Sequence, residues 1–170
     1  MSSPSEELVQ IVDRDDREIG AVSRRLMREQ RLIHRAAYIL VFNPEGELFI
    51  QKRTMSKDVY PGYWDVAAGG VVLAGESYEA AAARELAEEL GISGVPLEPL
   101  FTQYYEDGNN RVWGRIFRCV AAGPFVLQAE EVESGQFLAP AAALALSGAE
   151  PFTPDGLIVL RKVLAMAAAC

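Results

Sequence analysis

The chain contains little cysteine, a single histidine and no excess of positive charge. Cys119 and Cys170 are far apart and show no metal-type spacing, so we expect two free thiols in a reducing compartment. The lone histidine, His34, is more typical of a structural role than of a catalytic one. The 16 basic residues are outnumbered by 24 acidic ones, which gives a formal net charge of −8. This balance argues against nucleic acid or an anionic membrane as the main partner, but it permits a small phosphorylated ligand held through metal ions.

Targeting and membrane-spanning segments are also lacking. The first ten residues, MSSPSEELVQ, have neither the basic stretch nor the apolar core of a signal peptide. No apolar run approaches the roughly 18 residues of a membrane span. We therefore expect a cytoplasmic protein.

The composition is that of an ordinary globular protein, with 50% hydrophobic and 24% charged residues over 170 positions. This length and composition suit one domain with a sizeable core.

Apolar patterns and turn residues divide the chain into strands and helices. Strands are predicted over residues 8–12, 35–42, 47–53, 64–68, 101–106, 112–121 and 136–139, and helices over 77–90, 141–146 and 153–167. Residues 1–6 are predicted as a frayed tail, 13–20 as a polar turn and 57–63 as a loop, whereas 21–33 could form a helix or a strand with a loop. These elements predict an α/β (α+β) fold of one domain over residues 1–170, with helices on more than one side of a sheet.

Three glutamates share one face of the helix predicted over 77–90. On a helical wheel, Glu85, Glu88 and Glu89 fall within an arc of roughly 100°. Like charges at this spacing repel one another by about 0.2–0.5 kcal/mol per pair, and Arg84 can offset only one of them. A divalent cation such as Mg²⁺ or Mn²⁺, which prefers oxygen ligands, would offset the rest. Taken alone, however, the seven residues RELAEEL are more typical of a solvated helix face.

The longer spacing decides between these two interpretations. The pattern is a glycine, five residues, a glutamate, seven residues and then Arg-Glu-hydrophobic-any-Glu-Glu-any-Gly-hydrophobic. Every fixed position of it is met within residues 70–92, at Gly70, Glu76, Arg84, Glu85, Leu86, Glu88, Glu89, Gly91 and Ile92. At ordinary residue frequencies, a chance match at one start position has a probability on the order of 10⁻¹⁰. This pattern is the Nudix box, and the chain resembles the Nudix hydrolases, with the family's core over about residues 33–140.

The resemblance implies a fold and a chemistry. Members share a Nudix-type α/β/α sandwich around a mixed β-sheet, and they hydrolyse a nucleoside diphosphate that is linked to another group. By resemblance, Glu85, Glu88 and Glu89 bind the divalent metal ion, to which the carbonyl of Gly70 adds a ligand. Arg84 orients a glutamate and is counted with the catalytic residues. The metal ion aligns the phosphates and lowers the pKa of a bound water, and a carboxylate takes the proton from that water.

The identity of this base is open, because family members use either a glutamate of the box or one on a later loop. The box candidates are Glu85 and Glu89. The later candidates lie in the stretch QAEEVESG and are Glu130, Glu131 and Glu133, of which we take Glu131 as the catalytic candidate. The same stretch could equally be a plain acidic loop.

Residues before the box are expected to contact the substrate. Lys52 and Arg53 end a strand, where they suit phosphate contacts or, alternatively, limit edge-to-edge aggregation. Tyr60, Tyr63 and Trp64 could stack on a nucleobase, although such a tryptophan more often packs in the core. Apart from Lys52, Arg53 and Arg84, the acidic chain offers few cations near the box, so phosphate binding would rest largely on metal. The expected partner is a small-molecule nucleotide, whose base and leaving group the sequence leaves open, bound to a monomer or a homodimer.

A second resemblance concerns type I isopentenyl-diphosphate isomerase, which also has a Nudix fold. The stretch HRAAYILVFNPEGELFIQKRTMSKDVYPGYWD is similar to its front half. That enzyme uses a cysteine and a histidine-rich metal site, but the corresponding positions here are Gly69 and Val71, and His34 is at best a remnant ligand. The complete box therefore favours a metal-dependent pyrophosphohydrolase that cleaves a phosphoanhydride bond of a nucleoside di- or triphosphate or of a nucleoside diphosphate derivative. The alternatives are an isomerase-like enzyme and a non-catalytic nucleotide sensor.

Overall fold

The computed structural model describes residues 3–169, so Met1, Ser2 and Cys170 lie outside the described residues. One of the two predicted free thiols and part of the predicted frayed tail fall in these positions. The other cysteine, Cys119, is a buried free thiol, as predicted. Of the tail, Pro4–Glu6 form a single 3-10 turn.

The described residues form one mixed sheet of nine strands. The strands are β1 (Leu8–Val12), β2 (Glu18–Ser23), β3 (His34–Phe42), β4 (Leu48–Arg53), β5 (Trp64–Asp65), β6 (Ala68–Val71), β7 (Glu98–Glu106), β8 (Arg111–Val120) and β9 (Val132–Leu138). The central strand β3 pairs parallel with β8 and antiparallel with β1, β4 and β6. Around it, β2 pairs with β1, β5 and β9 pair with β4, and β7 pairs with β8.

Helices cover both faces of this sheet. They are α1 (Arg24–Glu29), α2 (Tyr78–Leu90), α3 (Pro140–Leu146) and α4 (Pro154–Ala168). On one face, Leu86 and Leu90 of α2 lie in a buried cluster with Ile39 of β3. On the other face, Leu160 of α4 lies in a second cluster with Leu40. Because consecutive residues of a strand point to opposite faces, Ile39 and Leu40 each serve one layer, and the expected sandwich around a mixed sheet is confirmed.

The helix α2 has defined caps at both ends. The hydroxyl of Ser77 accepts a hydrogen bond from the backbone N–H of Ala80 (3.0 Å). Gly91 ends the helix with a φ of 68°, in the left-handed region that glycine adopts without strain. The helix predicted over 77–90 is therefore confirmed to within one residue. Within it, Glu85 and Glu89 are buried.

The predicted turn over residues 13–20 is wrong in its extent. Only residues 13–17 form the turn, and β2 begins at Glu18 and pairs antiparallel with β1. The side chains of β2 are mostly exposed and show no buried alternation, so backbone pairing rather than side-chain pattern sets this strand. Residues 21–33, which the sequence left open, divide into the end of β2, the short helix α1 and a loop.

The strand predicted over residues 64–68 is also wrong, because it is two strands, β5 and β6. A carboxylate oxygen of Asp65 accepts a hydrogen bond from the backbone N–H of Ala67 (3.3 Å), and the chain there leaves β4 and joins β3. The strand predicted over 136–139 starts earlier, as β9 begins at Val132. Within residues 3–169, no helix combines the length and the apolarity that crossing a membrane requires.

Candidate active site

Two carboxylates of the helix α2, those of Glu85 and Glu89, lie against the glycine-rich strand β6. Gly70 permits the close approach, because a Cβ atom at this position would lie 2.7 Å from Oε1 of Glu85. The neighbouring Gly69 has a φ of 147°, and a side chain there would clash with the carbonyl oxygen of Ala37. Both positions therefore need glycine if the strand is to pass beside the glutamates.

Glu89 is a buried carboxyl group, with 4% of its surface exposed. Its Oε2 atom accepts hydrogen bonds from Nε2 of Gln51 (2.9 Å) and from the backbone N–H of Gly69 (3.3 Å). Burial and the neighbouring charge of Glu85 nevertheless raise the pKa of Glu89 to about 8. In the absence of a bound cation, this carboxyl group therefore keeps its proton near neutral pH.

Arg84 connects the glutamates of the site. Its guanidinium group donates two hydrogen bonds to Glu76, at 2.7 and 2.9 Å. Its Nη1 atom also donates to Glu85 (2.8 Å) and, more weakly, to the exposed Glu88 (3.4 Å). Glu76 in turn accepts a hydrogen bond from the backbone N–H of Leu73 (3.0 Å). Arg84 thus orients the first glutamate of the site and ties the loop after β6 to α2.

The donor set beside Gly70 fits a hard divalent cation. Within residues 3–169, no three His, Cys, Asp or Glu side chains already stand together as a metal-binding group. Glu85 and Glu89 nevertheless offer buried carboxylate oxygens. Burial raises the pKa of Glu85, and the charge of Arg84 offsets only part of this effect. In addition, Oε1 of Gln51 is buried and has no hydrogen-bond partner among the described residues. A hydrated Mg²⁺ or Mn²⁺ would bring positive charge to the carboxylates and O–H donors to this amide oxygen.

A cleft borders Gly69 and Gly70. It encloses about 90 Å³, which holds a few water molecules but is well below the roughly 300–1,000 Å³ of ligand pockets. Its walls carry four cationic side chains, three aspartates, two tyrosines and a histidine, namely Arg24, Arg28, Arg53, Lys57, Asp58, Asp65, Asp155, Tyr38, Tyr60 and His34. Four consecutive residues of this wall, over positions 57–60, lie in a loop outside the helices and strands.

Two of the aspartates, the buried Asp155 and the partly buried Asp65, are hydrogen-bond acceptors. The hydroxyl of Tyr38 donates to Asp155 (2.7 Å), while Asp65 accepts longer bonds from Thr153 and Arg53, both of 3.4 Å. Burial raises the pKa of both carboxyl groups, and that of Asp65 reaches about 6. The charge of Arg53 acts in the opposite direction, but burial has the larger effect. This part of the cleft suits ligand groups that donate hydrogen bonds, and it is too polar for a hydrocarbon chain.

Comparison with known proteins identifies the family. A family model of the NUDIX domain matches residues 32–156. The chain belongs to the Nudix family. It is 47% identical over 158 residues to the uncharacterised Nudix hydrolase PA4841 of Pseudomonas aeruginosa, which covers 93% of this chain and 94% of the relative. It is 46% identical over 156 residues to the uncharacterised Nudix hydrolase YfcD of Escherichia coli K12, with coverage of 92% and 86%.

A solved structure agrees with this assignment. The crystal structure of DR0079 from Deinococcus radiodurans superposes with a TM-score of 0.81 at 25% identity, and it covers 92% of this chain and 98% of its own. The fold is thus the Nudix fold, and the protein is a hydrolase of this family. The Nudix box spans the end of β6, the loop after it and α2.

Among the residues predicted to bind substrate, Arg53 and Tyr60 line the cleft. The guanidinium group of Arg53 donates to the carbonyl oxygen of Val59 (2.9 Å) and the hydroxyl of Tyr60 donates to Asp107. Both side chains are therefore held in place at the wall of the cleft. Their contact with a substrate stays a prediction.

The other two predicted substrate contacts, Lys52 and Trp64, lie outside the cleft lining. Lys52 lies on β4 between its neighbours β5 and β9. Trp64 stacks on Phe152 with ring centroids 6.4 Å apart, and its Nε1 donates to Glu150 (2.5 Å). Trp64 thus packs against the core, which was the alternative to base stacking. Tyr60, which lines the cleft, is the better candidate for stacking on a base.

The predicted loop base, Glu131, stands one residue before β9 and forms an ion pair with Lys57. Lys57 itself lines the cleft, and its charge counteracts the effect of burial on the pKa of Glu89. Glu131 therefore does not line the cleft itself, but it pairs with a lysine that does. Its role as the base stays a prediction.

The single histidine is buried at the cleft wall. Nδ1 of His34 lies 3.2 Å from the carbonyl oxygen of Leu32, to which it donates its hydrogen. Burial, together with the charge of Arg28, lowers its pKa to about 3. His34 is therefore neutral across the physiological range.

Several groups of the site are not apparent from the sequence. They are Arg24, Arg28, Gln51, Lys57, Asp65 and Asp155. The expectation of few cations near the box beyond Lys52, Arg53 and Arg84 is accordingly wrong, because three further cationic side chains line the cleft. Arg24 and Arg28 share an i,i+4 spacing, the one signal that could have placed both on a helix face.

Proposed function

We propose that this Nudix hydrolase cleaves a phosphoanhydride bond of a nucleoside di- or triphosphate, or of a nucleoside diphosphate derivative, with Mg²⁺ or Mn²⁺ as cofactor. The observation that carries the proposal is the buried pair Glu85 and Glu89 beside Gly70, at the border of a cleft with four cationic side chains. Two neighbouring buried carboxylates are costly to ionise unless a cation accompanies them. The cationic cleft next to them suits the phosphates of a substrate.

Glu85 and Glu89 would hold the metal ion, with the exposed Glu88 and the carbonyl oxygen of Gly70 as further ligands. When bound, such an ion neutralises phosphate charge and lowers the pKa of a coordinated water. Gln51 keeps the carboxylate of Glu89 in place through its 2.9 Å hydrogen bond.

A carboxylate must also take the proton of the attacking water. The candidates are the glutamates of the box and Glu131, which forms an ion pair with Lys57. Glu131→Gln distinguishes them, because loss of a general base lowers kcat by about 10²–10⁴-fold. A change of less than about 3-fold would leave the box glutamates as the base.

The cleft favours a nucleotide over a prenyl diphosphate. Its buried Asp155 and partly buried Asp65 accept hydrogen bonds, which a nucleobase or a ribose donates and a hydrocarbon chain does not. The position of the isomerase cysteine is Gly69, where a side chain would clash with the backbone of β3. The cytoplasmic location, the oligomeric state and the single domain over residues 1–170 stay predictions.

A substrate panel tests the proposal. Nucleoside di- and triphosphates, nucleotide sugars, inorganic pyrophosphate and isopentenyl diphosphate are incubated with enzyme and Mg²⁺, with and without excess chelator. We expect at least one nucleotide to be hydrolysed, and this activity to disappear with chelator. Faster turnover of pyrophosphate or isopentenyl diphosphate than of every nucleotide, or formation of dimethylallyl diphosphate, would contradict the proposal.

A further inference from the structure

The segment before the matched domain forms part of the cleft wall. The strands β1 and β2 and the helix α1 all precede residue 32, where the family match begins. Ile11 of β1 pairs with His34 of β3, and Gln10 donates its backbone N–H to the carbonyl oxygen of Val72 (3.2 Å). These backbone bonds fix the segment to the central strand and to the loop of the Nudix box, so α1 lies beside the active site.

Two arginines of α1 line the cleft, but only one of them is well paired. Arg28 donates to Asp58 (2.9 Å) and to Asn110 (3.2 Å). Arg24 has a single long ion pair, of 3.5 Å, with Glu7. Its Nε atom is buried and has no hydrogen-bond partner among the described residues. Arg24 is thus a half-buried guanidinium group with unused donors at the cleft.

An unpaired buried donor costs free energy unless a ligand accepts its hydrogen bond. The planar guanidinium fork matches the non-bridging oxygens of a phosphate group, to which it can donate two parallel hydrogen bonds. Arg24 and Gly70 line the same cleft, and the carboxylate of Glu85 lies beside Gly70, so the guanidinium group and the proposed metal site border one space. An anion between the two would face Arg24 on one side and the metal-binding glutamates on the other.

We propose that Arg24 binds a phosphate group of the substrate, so that the helix α1 completes the active site of this Nudix hydrolase. The inference rests on the proposed function in that it takes the ligand to be a di- or triphosphate group. Arg24 acts here as a substrate-binding residue that contacts phosphate directly, and Arg28 positions the helix through Asp58 and Asn110.

The test compares Arg24→Met with Arg25→Met. Arg25 is the matched control because it lies on the same helix, is 67% exposed and pairs with Glu29 one turn later. Hydrogen bonds to charged groups are worth about 10- to 150-fold in affinity. We expect Arg24→Met to raise KM for the best nucleotide at least about 10-fold with kcat changed less than about 3-fold, and Arg25→Met to leave both within about 2-fold.

A third variant separates phosphate binding from a structural role. If Arg24 acted only through its ion pair with Glu7, Glu7→Gln would reproduce the effect of Arg24→Met. If Arg24 binds phosphate, Glu7→Gln frees the guanidinium group, and KM stays the same or falls. Melting temperatures of the variants show whether any change reflects lost folding. Arg24→Lys keeps the charge but not the planar fork, so its KM should lie between those of wild type and Arg24→Met.

Calorimetric binding of inorganic pyrophosphate in the presence of Mg²⁺ gives a readout that does not need turnover. We expect wild type and Arg25→Met to bind it and Arg24→Met to bind at least about 10-fold more weakly. Equal binding by Arg24→Met and Arg25→Met, no binding by wild type, or a Glu7→Gln variant that behaves like Arg24→Met would overturn the inference. An enzyme that binds pyrophosphate through Arg24 but hydrolyses no nucleotide would instead contradict the proposed function alone.

Discussion

The charge state of one residue, Glu89, governs the energetics of the site. Its pKa is raised from 4.5 to about 8 by burial and by Glu85, so between these values the folded protein binds more protons than the unfolded chain. The associated stabilisation is fully present below about pH 4.5 and is lost as the pH rises through about 8. A bound divalent cation acts in the opposite direction, because it requires the ionised carboxylate.

This linkage predicts a pH-dependent stability. Without divalent cations, the melting temperature should fall as the pH is raised from about 5 to about 8. Glu89→Gln cannot ionise, so it should remove most of the fall, and Mg²⁺ should stabilise the wild type more strongly at the higher pH. Thermal unfolding of both proteins over this range measures the effect. A variant with the same pH slope as the wild type would show that Glu89 is not its source.

Tyr60 carries the second prediction at the residue scale. Its ring lines the cleft and its hydroxyl is bonded to Asp107. Stacking of a base on an aromatic ring is worth about 1–3 kcal/mol, so Tyr60→Ala should raise KM about 5- to 150-fold and change kcat less. Tyr60→Phe keeps the ring and should stay close to wild type. Steady-state kinetics decide the point, since equal rises in KM for both variants would assign the effect to the hydroxyl group instead.

At the scale of elements, the site is the packing of α2 against β6. The closest approach is at Gly70, where a Cβ atom would lie 2.7 Å from Oε1 of Glu85. Gly70→Ala should therefore displace this carboxylate and lower kcat by at least about 10-fold, as a small misplacement of a catalytic group does. The control is Gly108→Ala, because a Cβ atom there meets nothing within 4 Å. Circular dichroism and kcat of the two variants are compared, and equal activities would show that the close approach is not required.

The elements also show what the sequence could predict. The helix α2 was predicted from local signals, since Ser77, Gly91 and the spacing of the box all lie within it or beside it. The sequence does not predict β2, because its mostly exposed side chains show no buried alternation. It also merges β5 and β6 into one strand, because pairing with β4 and β3 sets their bounds. The cations of α1 were missed for the same reason. Contacts between distant residues, such as the pairing of Ile11 with His34, bring that helix to the cleft, and the local sequence does not reveal them.

For the molecule as a whole, the distribution of charge matters more than its sum. The chain has a net charge of −8, yet four cationic side chains converge on one cleft beside the buried glutamates. Three aspartates line the same cleft, so the field of these cations is partly offset by the carboxylates beside them. We propose that the glutamates and the cleft form one unit, in which a divalent cation held by Glu85 and Glu89 drives hydrolysis of a nucleotide.

The most direct test measures Mn²⁺ binding and nucleotide hydrolysis on the same samples of wild type, Glu89→Gln and Glu79→Gln. Glu79 is the matched control, because it is an exposed glutamate of α2 that pairs with Arg115 at 2.9 Å. We predict that Glu89→Gln weakens Mn²⁺ binding at least about 10-fold and lowers kcat at least about 10²-fold, while Glu79→Gln changes neither. A Glu89→Gln enzyme that binds Mn²⁺ and hydrolyses the nucleotide as the wild type does would contradict the account.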